Sequence, residues 1–166
     1  MKTIDPLTVT YAAIIVPPSK AHTLRALILA SLSDGKSIIH NPLMGEDQKH
    51  LINCLINLGV PLSIEQNSVI IEGQSGMFSP ISQELFCGES GVAMNFLTAL
   101  APFASKPLVL TGKEGLLNRP VGEIVNALRQ LGAHISYKNK ENYPPLIISP
   151  SPLRGGRAVM QGSKTS

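Results

Sequence analysis

Residues 51–65 read LINCLINLGVPLSIE, and residues 124–138 read IVNALRQLGAHISYK. At an offset of 73 residues, Asn53/Asn126, Leu55/Leu128, Leu58/Leu131, Gly59/Gly132 and Ser63/Ser136 are identical. Each stretch begins with apolar side chains at helical spacing. In the second, Val121, Ile124, Val125, Leu128 and Leu131 form the stripe. Gly59 and Gly132 stand where a C′ glycine ends a helix. Two short strand-like runs with a turn between them follow each helix: Leu62–Glu65 and Val69–Glu72 in one copy, Ile135–Lys138 and Leu146–Ser149 in the other. A repeat of this length governs the fold more than any single element does.

The upstream halves match at an offset near 70 residues. Ala13–Val16 is apolar and β-branched and reads as a strand. Pro17-Pro18-Ser19 then opens a helix through Leu32, with Leu24, Leu27 and Ile28 on its buried face. Asp34-Gly35 closes it, and Ser37–His40 is a strand. In parallel, Glu84–Cys87 is a strand and Gly88-Glu89-Ser90-Gly91 opens a helix that buries Ala93, Phe96, Leu97 and Leu100. Pro107–Leu110 is the next strand. The expected fold class is α/β, built from β-α-β-α-β-β units of about 70 residues. The layout is an N-terminal segment over 1–13, a first unit over 14–80, a second over 81–153, and the start of a third over 154–166. The third begins with Arg157–Met160 and ends at a helix start, Gly162-Ser163-Lys164-Thr165-Ser166, as expected for a piece of a longer protein.

Bulk properties narrow the function classes. At 166 residues the chain can build its own core without disulfides or metal. An apolar content of 43% against 15% charged excludes a disordered chain. With no Trp and seven aromatic residues, a base-stacking surface for single-stranded nucleic acid is not expected. The net charge is +3, and the surplus lies after residue 75, with nine basic and five acidic side chains against five and six before it. That suits an anionic small molecule as well as a nucleic acid. Cys54 and Cys87 lack a His partner at metal-ligand spacing and read as buried thiols in a reducing compartment. No signal h-region opens the sequence and no apolar run reaches the ~18 residues of a membrane span. A soluble, cytoplasmic protein is expected, with no metal and no cofactor.

The repeat directs attention to the first helix of each unit. These begin at Ser19-Lys20, at Gly88-Glu89-Ser90-Gly91 and at Gly162-Ser163-Lys164. Three such starts around a pseudo-threefold axis would aim free N–H groups and positive dipole ends at one region, which attracts anions. Lys20, Arg25 and Lys164 lie in or just after them. The second-helix starts are Met44-Gly45-Glu46-Asp47, where Asp47 is a cap or first-turn acid, and Leu117-Asn118-Arg119-Pro120, with Pro in the first turn. An Arg at a helix start opposes the dipole, which suggests that Arg119 serves an anion instead. Each residue also has a plainer reading. Ser19 is an N-cap, Lys20 a solvated lysine and Arg25 a snorkelling side chain. Gly88 and Gly91 are turn glycines, Glu89 complements the dipole, His22 is a surface residue, and Arg154 and Arg157 are loop charges. Gly35-Lys36-Ser37 is not a phosphate loop, because Ala30 stands where the leading Gly must be.

Several ordered motifs carry a resemblance: Pro18-Ser19-Lys20-Ala21-His22-Thr23-Leu24-Arg25-Ala26-Leu27, Leu85-Phe86-Cys87-Gly88-Glu89-Ser90-Gly91-Val92-Ala93-Met94, Leu110-Thr111-Gly112, Asn118-Arg119-Pro120-Val121-Gly122, Glu141-Asn142-Tyr143-Pro144-Pro145-Leu146 and Gly162-Ser163-Lys164-Thr165-Ser166. Together they span nearly the whole chain, which resembles the N-terminal part of the 5-enolpyruvylshikimate-3-phosphate synthase family (3-phosphoshikimate 1-carboxyvinyltransferases). Related UDP-N-acetylglucosamine enolpyruvyl transferases share the architecture without both the Arg25-Ala26-Leu27 and Tyr143-Pro144-Pro145 contexts.

The resemblance implies two similar domains closing over substrate. It also implies transfer of an enolpyruvyl group from phosphoenolpyruvate to the 5-hydroxyl of shikimate 3-phosphate, with release of phosphate and no metal or organic cofactor. By position it implies that Lys20 contacts both substrates and is catalytic, and that Arg25 binds the shikimate moiety. Gly91 then offers backbone near phosphoenolpyruvate, Arg119 grips its phosphate or carboxylate, and Thr165 and Ser166 hold the 3-phosphate. The partner expected is a complementary C-terminal domain, without nucleic acid or membrane, and little turnover is expected of this chain alone. Ala21, Glu89, Val92 and Asn95 depart from the family's usual Ser, Asn, Thr and Arg. The alternatives are an RNA- or phosphate-binding module of the related repeat fold found in RNA 3′-phosphate cyclases, and a non-catalytic remnant.

Overall fold

The computed structural model describes residues 13–160, together with Thr3 and Tyr11. Helix α1 spans Lys20–Leu32. Ser19 caps it as expected, its Oγ accepting the His22 N–H at 3.4 Å. Strand β1 (Asp34–His40) follows after a single residue, so Asp34 and Gly35 already belong to the strand. Helix α2 (Glu46–Asn57) starts with two acids in its first turn, where they complement the dipole. It ends at Gly59, whose φ of +93° is the left-handed C′ geometry that glycine adopts freely. A Cβ there would stand 2.1 Å from the Ser79 carbonyl oxygen, so no larger residue fits. Strands β2 (Leu62–Glu65) and β3 (Ser68–Gln74) then form an antiparallel hairpin.

The second unit repeats the scheme. Strand β4 (Glu84–Phe86) leads to α3 (Gly91–Leu100), capped by Ser90 Oγ on the Ala93 N–H at 3.2 Å. A 3-10 turn (Ala101–Phe103) and β5 (Leu108–Thr111) follow, then a one-turn helix α4 (Glu114–Leu117) that the sequence pattern does not reveal. Helix α5 (Gly122–Gln130) and strands β6 (His134–Tyr137) and β7 (Leu146–Ser149) complete the unit.

The duplication reaches the hydrogen-bond ladders. The first sheet has the order β1-β3-β2, all antiparallel, and the second has β4-β5-β7-β6. Matching β1 to β5, β3 to β7 and β2 to β6 superposes the two orders. Among the described residues β4, which pairs parallel to β5, is the strand without a counterpart. Its equivalent, the strand expected at Ala13–Val16, does not form. Those residues run as irregular chain, with Ile14, Ile15 and Val16 exposed. Leu85 of β4 is fully buried and its neighbours are bonded into the ladder, whereas residues 13–16 pair with no strand among the described residues, and an unpaired segment has no ladder to hold it extended. Strand structure is likewise absent at 157–160. There Gln130 of α5 takes the place of a neighbouring strand. Its Oε1 accepts the Val159 N–H and its Nε2 donates to the Val159 carbonyl, both at 3.0 Å.

One aliphatic core runs through both units. Leu27, Leu51, Leu55 and Leu58 of the first meet Leu85, Met94, Leu97, Leu108 and Leu110 of the second, all out of contact with solvent. Each such side chain contributes about 1.5–3 kcal/mol of burial. Cys54 and Cys87 are buried free thiols, as expected. Cys54 Sγ donates to the Phe86 carbonyl at 3.3 Å, tying α2 to β4. A hydrogen bond with Cys54 and burial together hold the Cys87 thiol far above the ordinary thiol range. Among the described residues no helix is long and apolar enough to cross a membrane, and no three His, Cys, Asp or Glu side chains cluster as metal ligands.

Candidate functional site

The starts of α1, α2 and α3 and the end of α4 border one cleft of about 340 Å³. It is lined by Lys20, Asp47, Glu89, Gly91, Val92, Asn95, Leu116, Arg119, Pro120 and Val121. Two buried polar side chains set the spacing between α1 and α2. Thr23 Oγ1 donates to the Ser19 carbonyl and accepts the Leu43 N–H, each at 3.0 Å. Gln48 Nε2 donates to the Lys20 carbonyl at 3.1 Å. Thus α2 reads the first turn of α1 directly. Lys20 Nζ lies 2.5 Å from Asp47 Oδ2, so the lysine enters the cleft with a carboxylate beside it.

On the far wall, the turn between β4 and α3 is fixed on both sides. Gly88 has φ +61°, and a Cβ there would stand 2.3 Å from His50 Cδ2 and 2.4 Å from His50 Nε2. The His50 ring is itself packed edge-on against Phe86, with 5.6 Å between ring centres. Glycine is therefore required twice at this position, by conformation and by space. The Lys113 N–H donates to the Gly88 carbonyl at 2.9 Å and holds the turn against the start of α4. Arg119 Nη1 reaches back to the Glu89 carbonyl at 3.4 Å, and a Cβ added at Gly91 would lie 3.7 Å from the same nitrogen. Gly91 and the Arg119 guanidinium are therefore immediate neighbours. The Glu89 carboxylate folds onto α4, its oxygens 2.7 and 3.0 Å from where a Gly115 Cβ would be.

The cleft thus holds fixed cations, a helix N-terminus with Ser90 as its cap, and two carboxylates. Of the residues expected to form a site, Lys20, Gly91 and Arg119 come together here. Arg25 does not. It is exposed on α1 outside the cleft, and among the described residues it makes no hydrogen bond or ion pair. Thr165 and Ser166 lie outside the described residues. His22, Arg154 and Arg157 are exposed and outside the cleft.

The expectation that Arg119 opposes a helix dipole is corrected. Helix α5 starts at Gly122, because Val121 before it is non-helical (φ −123°, ψ 12°), its N–H donating to the Asn142 carbonyl at 2.8 Å, and Arg119 sits in the turn closing α4, its N–H on the Leu116 carbonyl. Asp47 is in the first turn of α2, as read, but its pairing with Lys20 was not legible. Neither was the role of His50 in shaping the Gly88 turn, although both lie in a helix whose start the sequence marks.

A larger hollow of about 660 Å³ adjoins the cleft and shares Asn95, Pro120 and Val121 with it. Its other lining residues include Ile124, Asn126, Asn142, Tyr143 and Met160.

A sequence model of the family described as EPSP synthase (3-phosphoshikimate 1-carboxyvinyltransferase) matches residues 4–166. A 3-phosphoshikimate 1-carboxyvinyltransferase of Methanoculleus marisnigri is 40% identical over 156 residues, which are 93% of this chain and 37% of that protein. One of Escherichia coli is 39% identical over 167 residues, 99% of this chain and 39% of that protein. Among solved structures, EPSP synthase from Acinetobacter baumannii matches with a TM-score of 0.80 at 26% identity, over 87% of this chain and 33% of that one. The chain spans about two fifths of the length of these curated relatives.

Proposed function

The chain belongs to the EPSP synthase family, and on that premise we propose that it supplies the N-terminal share of a cytoplasmic 3-phosphoshikimate 1-carboxyvinyltransferase. The reaction moves the enolpyruvyl group of phosphoenolpyruvate to the 5-hydroxyl of shikimate 3-phosphate and releases phosphate. In this reading residues 14–80 and 81–153 are the first two repeat units, 154–166 opens a third, and 1–13 belongs against a complementary C-terminal domain. That domain is the partner needed for turnover, and no nucleic acid takes part.

The observation that carries the proposal is the convergence of Lys20, Gly91 and Arg119 on one cleft from three separate elements. Both substrates are multiply anionic. A guanidinium, an ammonium and the free N–H groups of a helix start are the groups that hold phosphate and carboxylate oxygens. Arg119 and the Gly91 backbone hold phosphoenolpyruvate, and Lys20 stands between the two substrates as the catalytic cation. Arg25, Thr165 and Ser166 hold shikimate 3-phosphate, with Arg25 turning toward the ligand from its exposed position. Charge developing on the departing phosphate is stabilised by cations already in place.

Titration of shikimate 3-phosphate and phosphoenolpyruvate against the amide NMR spectrum tests this. Shifts at Lys20, Gly91 and Arg119 are expected, with loss of the phosphoenolpyruvate response in Arg119→Gln. An unchanged spectrum around Lys20 and Arg119 would overturn the assignment. Phosphate release by this chain alone at the rate of a complete enzyme would overturn the need for a second domain.

A further inference from the structure

The cleft proposed to take anions also contains a carboxylate, Glu89, that joins no ion pair among the described residues. Lys20 is already matched by Asp47 at 2.5 Å, so its charge is largely offset before any ligand arrives. The balance felt by an anion beside Gly91 therefore rests on Arg119 and Glu89. Arg119 makes a single long hydrogen bond, to the backbone carbonyl of Glu89 rather than to its carboxylate. The Glu89 side chain lies against Gly115 on α4, and among the described residues it accepts no hydrogen bond and joins no ion pair. The carboxylate lies exposed at the cleft wall, and among the described residues no ion pair offsets its charge.

We propose that Glu89 is a specificity-determining residue of this cleft, selecting among tetrahedral anions by charge and disfavouring the doubly charged form. This rests on the proposal that the cleft is the anion site, and it adds which form of the anion the site prefers. The physics is linear in ligand charge. Removing one fixed negative charge helps a monoanion by some factor and a dianion by that factor squared, because the Coulomb energy doubles. A change in shape or hydration at residue 89 would help both anions alike.

Sulfate and methyl sulfate separate these effects, since both keep a constant charge at neutral pH and share one geometry. Each is titrated at fixed ionic strength into the whole chain, its Glu89→Gln variant and its Arg119→Gln variant, with the amide signals of Gly91 and Val92 as the readout. Glu89→Gln is expected to tighten methyl sulfate about fivefold and sulfate about twenty-five-fold. Equal factors for the two anions, or no change, overturn the role of Glu89 while leaving the cleft assignment standing if Arg119→Gln still weakens both. Binding that ignores Arg119→Gln, or no binding of either anion by any of the three proteins, overturns the cleft assignment and this inference with it. Glu89 is exposed, so the substitution leaves the fold intact, and Glu89→Ala gives a second variant with the same expected sign.

Discussion

Lys20 and Asp47 join the first turns of α1 and α2, with Nζ and Oδ2 2.5 Å apart at the mouth of the cleft. The lysine side chain is 58% exposed and the aspartate 21%. A pair this open to water contributes at most about 1 kcal/mol to stability. Its larger effect is on ligands. Asp47→Asn is expected to leave the thermal midpoint nearly unchanged and to tighten sulfate binding about three- to tenfold, because it releases the lysine charge. An unaltered sulfate affinity in a titration would show that Lys20 does not face the bound anion.

Gly88 has a left-handed φ and the His50 ring against its Cα. Gly88→Ala is expected to cost about 1–3 kcal/mol in urea unfolding, from backbone strain plus displacement of the ring. Adding His50→Ala should recover the steric part only. If the double variant regained full stability, φ would carry no cost here.

Alkaline pH offers a test of the thiol pair. The Cys87 thiol is held well above its ordinary value of 9.0 by its hydrogen bond with Cys54 and by burial. The folded chain therefore keeps a proton that the unfolded chain gives up. Stability from this group is complete below pH 9 and declines as pH rises beyond it, by about 1.4 kcal/mol per pH unit. Tyr137, raised chiefly by burial, adds a second decline above pH 10. Urea midpoints under reducing conditions should be level from pH 6 to 8.5 and fall from pH 9. In Cys87→Ala the fall should begin near pH 10. An unshifted onset in that variant would contradict the assignment.

Gln130 grips Val159 through both of its amide atoms. Both residues are exposed. Gln130→Ala is expected to change global stability by less than about 0.5 kcal/mol, while hydrogen exchange at the Val159 amide speeds up at least tenfold. Equal exchange rates in the two proteins would mean that this clasp does not persist in solution.

What the sequence disclosed was the part governed by local spacing. The identities between residues 51–65 and 124–138 carried over into matching strand orders, and Gly59 and Gly132 end their helices with φ of +93° and +99°. Ser19 and Ser90 cap the helices they precede. What it hid depends on contacts between distant segments. The strand pattern of Ala13–Val16 is genuine, but a strand exists only with a partner. Arg119 precedes a proline and so resembles a helix start, yet Arg119 belongs to the turn closing α4 and α5 begins only at Gly122, after a non-helical Val121 whose N–H is held by Asn142, more than twenty residues on. Glu89 looked like an acid that complements a helix dipole. Its contact with Gly115 requires α4, a single turn too short to leave a periodic signature.

The shared aliphatic interior sets a limit on how this duplicated chain can come apart. In an open solenoid a terminal repeat can melt while its neighbour persists. Here Leu51 and Leu55 of the first repeat and Leu85 and Leu97 of the second shelter one another from water. A cut near residue 80 would bare a greasy wall on each half, and we expect the severed pieces to cling together or precipitate rather than survive as independent miniature proteins.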